Sequence, residues 1–257
     1  MKKITLLFIF ILISTVLISC GDDNPAGGNQ TTLLPMKSGT YWVYMNYTLD
    51  SNNNRIGNYK TYDSIYVAGN ITKNDTSGSI FINYHIDSLG SITSDTVYYS
   101  VSNLKVFAYT NLIEYMLKDI PFASNITYTQ HWMKLVDAED EDWKVFDGII
   151  PETSVIIGTI EGNLSAFGSN SGNETITAES KSYNTRKFTV RTIFTGNFKY
   201  QSYKIPITLE RKTYLYFADN VGLVKTLTEA MKIEISPLQP WSFPGQEQIL
   251  LRHHIAN

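Results

Sequence analysis

Apolar and polar residues alternate with a period of two along most of this chain, the mark of strands with one face in a core and the other in solvent. Residues 41–48 read Tyr-Trp-Val-Tyr-Met-Asn-Tyr-Thr, which sets Tyr41, Val43, Met45 and Tyr47 on one face and Trp42 and Tyr44 on the other. Asn52, Asn53 and Asn54 with Gly57 predict a turn, and 59–67 a second strand. In 79–86, Ile80, Ile82, Tyr84 and Ile86 share a face, and 96–107 supplies one or two strands more. Gly69-Asn70 and Ser88-Leu89-Gly90-Ser91 read as turns between them. Such close spacing suits an antiparallel meander, because hairpins need only short connections.

The middle of the chain is less regular. Residues 111–119 predict a helix, with Asn111 as its cap and Pro121 as its stop. Residues 126–136 predict a strand, and Asp137 to Asp142 an acidic loop before Trp143. The strand pattern resumes at 154–167, as one long strand or as two across Gly162. Further on, Phe188, Val190, Thr192 and Phe194 oppose Lys187, Thr189 and Arg191. Residues 207–217, 223–235 and 249–255 complete the series. Pro237, Pro240 and Pro244 forbid regular pairing, so 236–245 reads as a surface loop carrying Trp241 and Phe243. The expected fold is mainly β: a single domain of curved antiparallel sheet with one or two short helices.

The chain opens Met1-Lys2-Lys3 and is then apolar over 4–18, interrupted by Thr5, Ser14 and Thr15. That is the pattern of a secretory signal peptide, and it falls short of the roughly 20 residues of a membrane span. Leu17-Ile18-Ser19-Cys20 resembles the bacterial lipobox. The resemblance implies cleavage before Cys20 and a diacylglyceryl group on its thiol, with about 0.8 kcal/mol of membrane affinity per buried CH₂. Residues 1–19 are then the signal peptide, 20–35 a lipidated flexible tether, polar and rich in glycine, and 36–257 the β domain. Gly21 is not the Asp that retains enterobacterial lipoproteins at the inner membrane, and Asp22-Asp23 resembles the surface-export signal of Bacteroidetes lipoproteins. The resemblance implies the outer membrane and leaves its periplasmic and external faces both open.

Charge and composition narrow the chemistry. Without Lys2 and Lys3 the 21 Lys and Arg fall to 19 against 24 Asp and Glu, a formal charge of about −5, which argues against nucleic acid as a partner. Cys20 is the only cysteine, so once lipidated it leaves no disulfide, thiol nucleophile or cysteine metal ligand. Seventeen Tyr, 12 Phe and 4 Trp suit a pleated sheet. No second apolar run is long enough to cross a membrane, and the body is expected to be soluble.

Catalytic and metal-binding motifs are not visible. Glu139, Asp140, Glu141 and Asp142 lack calcium-loop spacing, and His253-His254 would point to opposite faces of a strand. Residues 168–172, Gly-Ser-Asn-Ser-Gly, read as a turn and not as a nucleophile elbow. With no phosphate loop and no metalloprotease helix, neither enzymatic activity nor a cofactor is expected. The aromatic residues remain. Tyr41, Trp42, Tyr44, Tyr214, Tyr216, Trp241 and Phe243 could hold an acyl chain or stack on a sugar, or could serve as core and cross-strand pairs.

Two segments carry a family resemblance. Gly39-Thr40-Tyr41-Trp42-Val43-Tyr44, after Leu34-Pro35-Met36-Lys37, is similar to the Gly-x-x-Trp-x-Tyr opening strand of a Bacteroidetes-type family of bacterial lipoproteins. Residues 216–225 resemble their Val-Gly-x-Val-Lys hairpin, with Asn220 where the family has Gly, and Ile249-Leu250-Leu251 their closing strand. That family looks distantly like the LolA/LolB carriers, which implies a curved sheet around an apolar cavity. The expectation is a non-catalytic, membrane-anchored envelope lipoprotein holding an apolar ligand or a partner segment. The alternatives are a cell-surface interaction or carbohydrate-binding module, with a glycan or an envelope protein as partner, and a hydrolase of unfamiliar type.

Overall fold

A computed structural model describes residues 31–111, 129–155, 158–233 and 241–256. Its strands are β1 (Tyr41–Leu49), β2 (Arg55–Lys73), β3 (Thr76–Ile86), β4 (Ile92–Ser102), β5 (Lys105–Thr110), β6 (His131–Asp137) and β7 (Asp142–Val155). They continue as β8 (Gly158–Ala178), β9 (Lys181–Tyr200), β10 (Tyr203–Ala218), β11 (Gly222–Thr228), β12 (Met231–Ile233), β13 (Trp241–Phe243) and β14 (Gly245–His254). All regular elements among the described residues are strands, so the fold is mainly β, as expected. The predicted helix lies outside the described residues except for Asn111, whose side-chain amide donates to the Thr129 carbonyl at 2.9 Å.

Twelve strands form one antiparallel sheet in the order β6-β5-β4-β3-β2-β1-β14-β11-β10-β9-β8-β7, and β12 pairs with β13 apart from it. Nearly every neighbour in the sheet is also a neighbour in sequence, the meander that the spacing predicted. β14 joins the two halves by pairing with both β1 and β11. The sheet curves until its edge strands β6 and β7, joined by residues 138–141, come together. There His131 stacks on Phe146 at 6.0 Å, and the sheet is nearly closed.

The inner face is filled by the chain's own side chains. Trp42, Phe188, Phe198, Leu164 and Val224 are among the fully buried residues. Ring contacts run through each half: Trp42 to Phe81 at 5.9 Å and Phe81 to Tyr99 at 4.9 Å, then Trp143 to Phe188 and Phe188 to Phe217 at 6.2 Å each. Burying a large apolar side chain stabilises by roughly 1.5–3 kcal/mol, so this interior is the main source of stability.

Several local expectations are corrected. β2 runs through Gly69-Asn70 because a bulge between Val67 and Gly69 absorbs the extra residue. The turn falls instead at Asn74 and Asp75, both left-handed (φ 48° and 59°), the geometry of a tight hairpin. β8 likewise continues through residues 168–172. A bulge between Asn170 and Asn173, with Gly172 at φ 89°, puts turn-like geometry inside a strand. Beyond it the buried face switches, so Ile176, Ala178, Tyr183 and Thr185 turn inward. Residues 154–167 belong to the β7–β8 hairpin, with Val155 paired to Gly158. The stretch 223–235 divides into β11 and β12.

Other turns agree with the reading. The Asp50 carboxylate accepts the backbone N–H of Asn52 and Asn54, and Asp87 does the same for Leu89 and Ser91. Gly57 lies past the first of these turns, within β2. Asn220 takes φ 61°, so asparagine serves the β10–β11 turn where the resembling family has glycine. The ordered body begins before residue 36. Leu33 and Leu34 are buried, and Thr32 exchanges two backbone-anchored hydrogen bonds with Asn220, so residues 32–34 pack on the β domain.

Candidate functional site

The seven aromatic residues singled out from sequence do not form one site. Trp42 and Tyr44 belong to the interior. The Trp42 indole N–H donates to the Val221 carbonyl at 2.6 Å, and the Tyr44 hydroxyl to the Leu223 carbonyl at 2.9 Å. Burial pushes the Tyr44 hydroxyl well above its ordinary pKa, and nearby Tyr99 and Asp63 add to the effect. These two are core. Phe243 is half-buried against the same core and sits in β13 opposite Met231. The segment read as a surface loop therefore closes with a short strand, because Pro244 falls just beyond that pairing. Trp241 pairs through its backbone with Ile233, and its side chain lies outside the described residues, as does Cys20.

Tyr214 and Tyr216 share the face of β10 opposite Leu215, where Tyr214 is half-buried and Tyr216, 4% exposed, belongs with the core. The Tyr214 hydroxyl donates to Glu229 at 2.7 Å, and that bond, with burial second, pushes its pKa up to about 12. Lys187 and Lys225 lie over the Tyr216 ring at 5.3 and 5.7 Å. Lys225 also pairs at 2.8 Å with Glu247, which holds Arg55 on its other oxygen. Burial would raise the Glu247 pKa, but the two cations outweigh it and hold the carboxyl low. These tyrosines are engaged in a lattice of charges.

Tyr41 stands apart, 37% exposed and stacked on His254 at 5.7 Å. Residues directly opposite on paired strands share a face, so the register gives its companions. Tyr41 pairs with Tyr66 and Met45 with Tyr62 on β2; Tyr66 pairs with Ile82, Ser64 with Tyr84, and Tyr62 with Ile86 on β3. The outer face of β1–β3 thus presents Tyr41, Tyr62, Tyr66 and Tyr84 among Val43, Ile82 and Ile86. Tyr62 and Tyr84 are 37% and 38% exposed, and the Tyr66 and Tyr84 rings stack 5.9 Å apart at 14°. This exposed aromatic platform is the candidate binding surface. Sequence reading missed Tyr62, Tyr66 and the stacking of Tyr66 on Tyr84. The period of two had put Tyr84 in a row with Ile80 and Ile82, but a period alone does not say which row faces inward.

A polar spot interrupts the interior. Asp63 is buried; one carboxylate oxygen meets His85 Nδ1 at 2.7 Å, and the other accepts from Gln248 Nε2 at 2.8 Å. Nearby on the same face, the side-chain oxygen of Asn83 is buried without a partner. An Asp–His pair can orient a base, but among the described residues no hydroxyl is hydrogen-bonded to His85, so the activated nucleophile of covalent catalysis is not assembled here. His253 and His254 point to opposite faces, one against Tyr183 and the other against Tyr41. Two lysines pair with the first part of the acidic loop, Lys134 reaching Asp137 and Asp140, and Lys105 reaching Asp137 and Glu139.

No family model matches the chain, and no curated protein matches it. Among solved structures it is similar to a candidate lipoprotein from Parabacteroides distasonis, with a TM-score of 0.50 and 13% identity over 88% of this chain and 100% of that one. It is also similar to a candidate exported protein with a YmcC-like fold from Bacteroides fragilis, at a TM-score of 0.48 and 14% identity over 86% and 98%. At 13% identity the first likeness is one of fold, and it extends over the whole of the other chain.

Proposed function

We propose that this chain is a non-catalytic lipoprotein of a bacterial envelope, held at the outer membrane by lipid on Cys20, which binds a glycan on the tyrosine platform of β1–β3. The observation that carries the binding surface is the exposure of Tyr41, Tyr62 and Tyr84 on one face of a barrel whose inner face is packed with its own aromatic residues. A filled interior moves the ligand from inside the curved sheet to its outside. Exposed tyrosines offer an apolar ring face to the C–H faces of a sugar and a hydroxyl to its oxygens. The address is supported by the lipobox-like Leu17-Ile18-Ser19-Cys20 and by the fold shared with a candidate lipoprotein.

Two experiments test this reading. Cells fed an alkyne fatty acid will label the wild-type chain, whereas Cys20→Ala will carry no label and remain an unlipidated precursor; label retained on Cys20→Ala excludes the anchor. On a glycan array the lipidated protein, extracted in mild detergent, will bind a defined subset of saccharides. Tyr62→Ala and Tyr84→Ala will each weaken that binding about tenfold, or ~1.4 kcal/mol. Binding indifferent to both substitutions removes the platform from the account.

A further inference from the structure

The opposite half of the barrel carries a second arrangement, made by β8, β9 and β10. Phe167 pairs with Arg191, and Arg191 with Lys212, so the three side chains lie abreast on the outer face. One step along the strands, Ser169, Thr189 and Tyr214 form a parallel row. Strands are about 4.8 Å apart, so each row spans roughly 10 Å. A depression of about 340 Å³ opens over both rows, with Asp142 at its edge, and small-ligand sites begin near 300 Å³.

Its groups are available. Many of the described cations already hold carboxylates, but Arg191 is exposed and has no ion-pair partner among the described residues. Among the described residues Lys212 pairs only with Glu210, at 3.9 Å. Phe167 is 37% exposed, and no ring or cation covers it among the described residues. Thr189 shares a hydrogen bond with Ser171 at 2.7 Å. Tyr214 is oriented by its donation to Glu229, which leaves its oxygen able to accept.

We infer that this groove is a binding site for an acidic saccharide, a sugar ring bearing a carboxylate or a sulfate. The planar Arg191 guanidinium and the Lys212 ammonium take the anionic group. Phe167 takes the apolar face of the ring, and Ser169, Thr189 and Asp142 take its hydroxyls. A bare phosphate would leave Phe167 and the hydroxyl row unused. A nucleic acid would need a basic stripe, whereas this chain is acidic overall, with a formal charge of −3. The site shares no residue with the tyrosine platform, so the two stand or fall separately.

Calorimetry on the full lipidated chain in detergent tests it, with oligogalacturonate and a sulfated galactan oligosaccharide as the two acidic probes. A neutral galactan oligosaccharide, duplex DNA and inorganic sulfate serve as comparators. At least one acidic oligosaccharide will bind, and Arg191→Ala and Phe167→Ala will each weaken it about tenfold or more. Arg191→Lys will retain part of the affinity, and Tyr203→Ala, at an exposed tyrosine that belongs to neither surface, will leave it unchanged. Preference for one acidic probe over the other tells uronate from sulfate ester. Failure of both to bind, equal binding of the neutral oligosaccharide, DNA or inorganic sulfate, or affinity untouched in Arg191→Ala would overturn the assignment. A circular dichroism spectrum matching wild type shows that each variant is folded, and Arg191→Gln repeats the test if Arg191→Ala is not.

Discussion

Trp42→Ala will lower the stability of the barrel by about 5 kcal/mol, enough to unfold much of the population at 37 °C. Truncating a buried tryptophan costs roughly 3–5 kcal/mol through lost burial and the cavity left behind. Trp42 is 1% exposed and packs on Phe81. Its indole N–H also donates to the Val221 carbonyl across the β10–β11 turn, and losing that bond adds about 1 kcal/mol. Whole domains are stable by only about 5–15 kcal/mol, so one residue holds a large share. Trp42→Phe keeps one aromatic ring in the site while removing the bond and part of the indole's bulk, and the loss falls to roughly 2–3 kcal/mol. Urea midpoints for the pair measure this. Equal losses in the two variants would mean that the bond, and not the packing, is what Trp42 supplies.

Asp137→Ala is expected to cost on the order of 3 kcal/mol and to loosen the seam between β6 and β7. The Asp137 carboxylate is buried at that seam, bound by Lys134 at 2.6 Å and Lys105 at 3.4 Å. It also accepts the backbone N–H groups of Glu139 and Asp140 at 3.1 and 3.3 Å. Burial alone would raise its pKa; the bonds from Lys134 and the two amides outweigh that and hold it at about 2. A carboxyl whose folded pKa lies below its unfolded one stabilises fully above the unfolded value and loses that contribution as pH falls through the folded one. Stability should therefore decline between about pH 4 and pH 2. The same profile in Asp137→Asn will lack Asp137's share of that decline. Identical acid profiles for wild type and Asp137→Asn would assign the loss to other carboxylates.

How much of this was legible in the sequence depended on the kind of physics each feature uses. Strand periodicity is local, so the meander, the Asp50 and Asp87 turns and the left-handed Asn220 could all be read from neighbouring residues. Bulges are not local. The extra residues at 67–69 and 170–173 look like turns in sequence because glycine and asparagine serve both, and only the partner strand decides that the ladder resumes. Sidedness is not local either. Tyr41 and Trp42 alternate in the pattern, yet the curvature of the whole sheet buries one and exposes the other. For that reason the candidate aromatic set mixed core residues with surface ones, and the platform of Tyr62, Tyr66 and Tyr84 emerged only with the register. The Phe167, Arg191 and Lys212 row, spread over three strands, had no sequence signal at all.

Hydroxyl-radical footprinting tests the central claim most directly, comparing intact cells with the purified lipidated protein. If the tyrosine platform is the binding surface, Tyr62 and Tyr84 will be oxidised in the purified protein and protected in cells, while exposed Tyr203, the first residue of β10, will be oxidised in both. Equal oxidation of Tyr62 and Tyr84 in the two samples would contradict the account and remove the tyrosine platform as the binding surface.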